Sequence, residues 1–135
     1  MTFHHIGVAV YDIDATAIVF EIGGYKRSPV IFDPVQNVTI CWLTKGGSPT
    51  VELLAPVDKN SPINRILEKN GVTPYHCCYM VNNMEDTIQA LKKQKYILVS
   101  KPVEAAAFHG TRVCFLYHKN VGLTELVESP AKIVE

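Results

Sequence analysis

The chain has no CxxC pair, no surplus of either charge, only three arginines and no long apolar run. Each absence closes off a class of function. Lys+Arg and Asp+Glu balance at 13 each, so no nucleic-acid or membrane-surface partner is expected. No stretch approaches the roughly 20 apolar residues that span a bilayer. The opening MTFHHIGVAV has neither a basic flank nor a small-residue cleavage site. No signal peptide is read there, and a cytoplasmic location is expected. Cys41, Cys77, Cys78 and Cys114 all lie in apolar, strand-like runs. Without paired spacing they read as reduced core thiols, with a thiolate metal site as the alternative.

What is present is ordinary globular material, doubled. The 135 residues suffice for one domain with a core. A shift of 71 lays His5 on His76, Val10 on Val81, Thr16 on Thr87 and Tyr25 on Tyr96. A shift of 73 then lays ICWL (40–43) on VCFL (113–116) and Glu52 on Glu125. A repeat of about 70 residues is the length of a duplicated half-domain. Each half opens with an alternating strand, HIGVAV or HCCYMV. A helix follows, starting at Asp12 or Asp14 in the first half and at Asn82 or Asn83 in the second, with Gly23-Gly24 ending the first. Three extended segments complete each half: YKRSPVI, NVTICWLT and TVELLAP, then YILVSKP, TRVCFLY and GLTELVE. The order is β-α-β-β-β twice, an α+β class. Module one is expected over about 1–58 and module two over about 73–130 of a single domain, 1–135. Between them Ser61, Pro62 and Gly71 predict a capped linker helix over about 60–72.

The repeat carries its chemistry in step. His5 precedes Glu52 by 47 residues and His76 precedes Glu125 by 49. Strand alternation puts His5, Gly7 and Ala9 on one face and Ile6, Val8 and Val10 on the other. Glu52 shares a face with Thr50 and Leu54, and Glu125 with Leu123 and Val127. His76 shares one with Cys78 and Met80. A carboxylate flanked by aliphatics must be protonated, paired or bound to a cation. Taken singly, each residue could be a hydrogen-bonded strand end or an edge residue. A matched quartet is most simply explained by one shared cation. Two imidazoles and two carboxylates suit Zn, Ni, Co, Mn or Fe(II) and are too nitrogen-rich for Ca or Mg.

HHIGVAV, VELLAPVDKNSPINRILEKNG, YHCCYMV and the closing TELVE resemble the vicinal-oxygen-chelate superfamily over nearly the whole chain. Methylmalonyl-CoA epimerases and glyoxalase I-like proteins are the nearest in look. The resemblance implies paired βαβββ modules forming a half-open barrel around one divalent metal held by His5, Glu52, His76 and Glu125. A His/Glu/His/Glu set is that of bacterial glyoxalase I; epimerases can have Gln where Glu52 stands. The implied chemistry is metal-assisted proton transfer beside a carbonyl, the metal stabilising the oxyanion and Glu125 or Glu52 serving as base. The chain departs from both relatives. The second carboxylate of some epimerases would fall near Ile40, and Val113 is its counterpart in the other half. The glycine-rich approach to the last strand is shortened to His118-Lys119-Asn120-Val121-Gly122. The glyoxalase aromatic helix is replaced by VFEIGGY.

The sequence therefore reads as an epimerase- or isomerase-like enzyme acting on an acyl or keto compound. A glyoxalase I-type lyase is the alternative, and a non-catalytic metal- or small-molecule-binding protein is the reading from another class. A small-molecule substrate and a homodimer formed through sheet edges are the expected partners, the latter by fold analogy. His4 is expected on the face opposite His5. His109 and His118 are loop histidines that could act as general acids but read first as solvated. Trp42 and Phe115 occupy matching places and read as core, with Trp42 able to line a cleft.

Overall fold

The structure is a computed structural model describing residues 1–135. Module one contains β1 (Thr2–Ala9), α1 (Ile13–Ile22), β2 (Lys26–Arg27), β3 (Ile31–Asp33), β4 (Val38–Thr44) and β5 (Thr50–Pro56). A short helix, α2 (Asn64–Asn70), leads to β6 (Thr73–Val81), α3 (Met84–Lys93), β7 (Ile97–Glu104), β8 (Arg112–His118) and β9 (Gly122–Glu128). All nine strands form one sheet in the order β2-β4-β5-β1-β6-β9-β8-β7, with β3 also pairing β4. The sheet does not close. Within it β1 runs parallel to β5 and β6 parallel to β9, while β1 and β6 pair antiparallel. The two βαβββ modules thus meet back to back at β1 and β6, the half-open arrangement that the family resemblance implies. No helix is long and apolar enough to cross a membrane.

The repeat extends to single contacts. Asp12 caps α1 by accepting from Ala15 N at 3.0 Å, and Asn83 caps α3 by accepting from Asp86 N at 2.9 Å. Each cap satisfies an otherwise unpaired helix N–H, worth about 1 kcal/mol. Ile13 and Ala17 are buried beneath α1, and their counterparts Met84 and Ile88 beneath α3. Alternation divides the sheet as expected. Val10, Leu43, Val51 and Leu53 pack on α1, and Val81, Leu116 and Leu126 on α3. Ala9, Ile40, Trp42, Leu54, Cys78, Val113 and Val127 fill the inner, concave side.

Two local expectations are corrected. YKRSPVI is not one strand. Pro29 has no N–H to give a ladder, and Ser28 turns inward, its Oγ accepting from Trp42 N at 2.9 Å. Nor does Ser61 cap the linker helix, whose N-cap residue is Ile63, with no side-chain bond. Ser61 Oγ instead accepts from Val57 N and Asp58 N, at 2.8 and 3.2 Å, and fastens the preceding turn. The helix stops at Gly71, whose φ of 70° favours glycine.

Candidate metal centre

Four strands from two modules deliver the quartet to one point. His5 lies on β1, Glu52 on β5, His76 on β6 and Glu125 on β9. All four are buried, at 0%, 3%, 4% and 2% exposure, among the apolar residues of the inner face. His5 Nε2 lies 3.4 Å from Glu52 Oε1, 3.3 Å from Glu125 Oε1 and 3.3 Å from His76 Nε2. His76 Nε2 lies 3.5 and 3.6 Å from the same two carboxylate oxygens. The four donor atoms all fall within 4.8 Å of one another. Atoms so spaced share a centre about 2.1–2.4 Å from each, at or slightly beyond first-row metal–nitrogen and metal–oxygen bond lengths. Glu125 Oε1 is buried without a hydrogen-bond donor, a state that costs free energy unless a cation relieves it. The donor set fits a divalent ion.

The local sequence explains the convergence. In the β1–β6 pairing Gly7 faces His76, and a Cβ on Gly7 would overlap the His76 imidazole. The small residue on the histidine face is the space into which the second histidine folds. In register, Trp42 pairs with Glu52 and Phe115 with Glu125. Their rings meet the imidazoles edge to face, Trp42 with His5 at 4.9 Å and Phe115 with His76 at 5.4 Å between centroids. Trp42 is core and Phe115 half-buried.

The charges are tied together. Burial alone would lower the His5 pKa, but Glu52 and Glu125 outweigh it and raise it to about 9. His76 moves the same way against the same burial. Burial would raise the two carboxyls, but the imidazoles hold both below the usual carboxylate range. In the metal-free chain the two pairs of groups act at opposite ends of the pH range. The histidine contribution is complete below 6.5 and lost as pH rises toward about 9. The glutamate contribution is present above 4.5 and lost as pH falls. Urea midpoints of chelator-treated protein are therefore expected to be highest between these limits and to fall toward pH 9. The alkaline decline should flatten when metal replaces the protons. A midpoint independent of pH from 6 to 9 without metal would contradict this.

Other candidates sort clearly. His4 is not on the far face. A register irregularity between Phe3 and His5 breaks the alternation and brings His4 Nδ1 to 2.9 Å from His5 Nδ1. His118 Nδ1 accepts from Asn120 N within its own turn, and His109 caps the 3-10 turn Ala106–Phe108 at a φ of 55°. Neither joins the quartet. Cys41, Cys78 and Cys114 are buried thiols, but Cys77 is exposed. The Cys78 sulfur lies near the His4 and His5 nitrogens, yet burial and then Glu125 raise its pKa strongly. Without a metal, that burial favours the protonated thiol. Sequence reasoning missed Tyr75, which stacks edge-on to His76 at 4.5 Å. Burial first, then the two glutamates, raise its pKa, so it remains a neutral phenol.

A cleft of about 610 Å³ opens on the far side of Tyr75 and Phe115, the two rings that pack on His76. Val38, Ile66, Val99, Phe115 and Leu123 line it, and Lys101 is its one charged side chain. Phe115 and Tyr75 form the boundary between cleft and His76. The volume and apolar walls are those of a small-molecule site.

Residues 4–115 match the model of the glyoxalase/bleomycin resistance protein/dioxygenase superfamily. Human mitochondrial methylmalonyl-CoA epimerase is 32% identical over 130 residues, covering 93% of this chain and 73% of the human protein. The crystal structure of the Mycobacterium tuberculosis methylmalonyl-CoA epimerase superposes with a TM-score of 0.84 at 26% identity, covering 97% of this chain and 89% of that one. A Streptomyces coelicolor methylmalonyl-CoA epimerase variant in complex with 2-nitronate-propionyl-CoA has a TM-score of 0.82 at 25% identity, covering 97% and 99%. The human relative and those from mouse and cattle are all mitochondrial. The cytoplasmic location expected from the N-terminal residues is overturned by these matches. Family model, fold and buried donor cluster agree: the chain belongs to the glyoxalase/bleomycin resistance protein/dioxygenase superfamily and is a metal-dependent enzyme of its isomerase/epimerase type.

Proposed function

We propose that the protein inverts the carbon next to the thioester carbonyl of a methylmalonyl-CoA-like acyl-CoA, with His5, Glu52, His76 and Glu125 holding a divalent ion. The observation that carries this reading is the buried quartet, whose His76 packs against Tyr75 and Phe115 in the wall of an apolar cleft. A divalent ion held there would supply charge stabilisation to the developing enolate oxygen. The chain's residues do the rest. The apolar walls take the uncharged arm of the thioester, and Lys101 pairs with an anionic group of the substrate. Tyr75 and Phe115 hold the His76 ring.

One of the two glutamates takes the proton from one face and the enolate regains a proton from solvent on the other, because Ile40 and Val113 are apolar and fully buried where a separate carboxylate could have stood. Glu125 is the stronger candidate. It shares a strand face with Leu123 and pairs with Phe115, both lining the cleft, whereas Glu52 pairs with the buried Trp42.

Glu52 itself favours a second reading, a glyoxalase I-type lyase, since that enzyme carries Glu at the matching position. Glutathione would bring two carboxylates and an ammonium to a cleft with one charge. Arg27 and Arg112 are engaged elsewhere, with Asp14 and Glu85, each at 2.8 Å. The acyl-CoA reading therefore ranks first.

Metal-loaded protein in deuterium oxide is expected to wash deuterium into the carbon between the two carbonyls of methylmalonyl-CoA, as followed by mass spectrometry. No exchange above the uncatalysed rate would sink the reading. Turnover of the methylglyoxal–glutathione adduct instead would establish the lyase.

A further inference from the structure

We infer that His4 is a positioning residue that fixes the His5 imidazole with its Nε2 lone pair turned toward the metal. This rests on the metal-site reading above and adds a residue to it. Three observations converge. The irregularity between Phe3 and His5 turns His4 to the inner side, against strand alternation. There the two Nδ1 atoms stand 2.9 Å apart. On the other side of the His5 ring, Nε2 faces the two glutamates and His76.

With a metal on the quartet, those contacts determine the protons. A neutral imidazole has one N–H and one acceptor nitrogen. A His5 that gives its Nε2 lone pair to a metal carries its N–H on Nδ1. His5 Nδ1 must then be the donor across the 2.9 Å contact. His4 Nδ1 is the acceptor there, which holds His5 Nε2 toward Glu52 Oε1, Glu125 Oε1 and His76 Nε2. Ligand histidines are commonly held this way by an acceptor behind the ring.

The His4 ring is itself fixed. It meets the Phe108 ring at 5.2 Å and the Trp42 ring at 6.1 Å, both edge to face. The second module lacks the device. At a shift of 71 His4 corresponds to Tyr75, which meets the next imidazole with its ring, and His76 Nδ1 is buried without a partner. The two halves therefore hold their histidines by different means, a hydrogen bond in one and packing in the other.

The test uses the full chain and zinc. His4→Phe keeps a ring against Trp42 and Phe108 but has no acceptor. Competition with a chromophoric chelator should show zinc binding about 10–100-fold weaker. His4→Asn, whose side-chain oxygen accepts near the place of Nδ1, should recover to within about threefold of the parent. Nitrogen-15 spectra of the zinc-loaded parent should show His5 Nδ1 protonated and hydrogen-bonded and Nε2 bound to metal. A folded His4→Phe protein that binds zinc like the parent would overturn the assignment. If that variant does not fold, the parent spectrum decides alone, and metal at Nδ1 or an unbonded Nδ1–H overturns it. None of these readouts needs turnover. A parent that binds zinc but exchanges no deuterium defeats the functional reading and leaves His4 standing; normal exchange with an indifferent His4→Phe does the reverse.

Discussion

Glu125→Gln is expected to retain its metal and lose about 10²–10⁴-fold in epimerisation rate, the usual worth of a positioned general base. The amide oxygen can still face the two imidazoles, which lie 3.3 and 3.6 Å from Glu125 Oε1. It cannot accept the substrate proton. The loss should appear in kcat with KM little changed, because the cleft walls and Lys101 are untouched. Glu52→Gln is the companion measurement. If it costs as much and Glu125→Gln costs little, the base is Glu52. If both variants keep full turnover with metal bound, neither glutamate moves the proton and the mechanism is wrong.

Gly7→Ala should be the most damaging small substitution in the molecule. Gly7 needs no unusual backbone; it needs empty space, because the His76 ring lies where its Cβ would be. The added methyl must displace either the imidazole or the β1–β6 pairing at the join of the two modules. Overpacking of a tight core costs about 1–3 kcal/mol, and a displaced ligand should weaken metal binding by at least about tenfold. Gly46→Ala is the control, since a Cβ at Gly46, on its surface turn, would meet nothing within 4 Å. Urea unfolding and metal titration of both variants check this. A Gly7→Ala protein that matches Gly46→Ala in both would show that the β1–β6 join yields easily, against the packing described.

Much of this is legible because the chain repeats itself. Each helix start is open in the sequence between two residues, Asp12 or Asp14 and Asn82 or Asn83, and the structure uses Asp12 and Asn83, 71 residues apart, as caps. Period-two alternation places His5, Glu52, His76 and Glu125 on inward faces, and the inner core bears that out. Alternation also fails where its assumption fails. A regular strand would send His4 outward, and the irregularity before His5 has no sequence signature of its own. Ser61 beside Pro62 looks like a helix start, but its hydroxyl is taken by the preceding turn. Gly7 looks merely small in the sequence. That it makes room for His76 depends on strand register, which one sequence does not state. The cleft is likewise assembled from segments distant in the chain, so neither its volume nor Lys101 is readable in advance.

The claim on which the rest depends is that two duplicated half-sites make one metal centre. Metal analysis of the purified chain, followed by cobalt titration monitored in the visible range, tests it most directly. One ion per chain is expected, with affinity lost both in His5→Ala from module one and in His76→Ala from module two. No bound ion and no rebinding, or binding indifferent to either histidine, would contradict it.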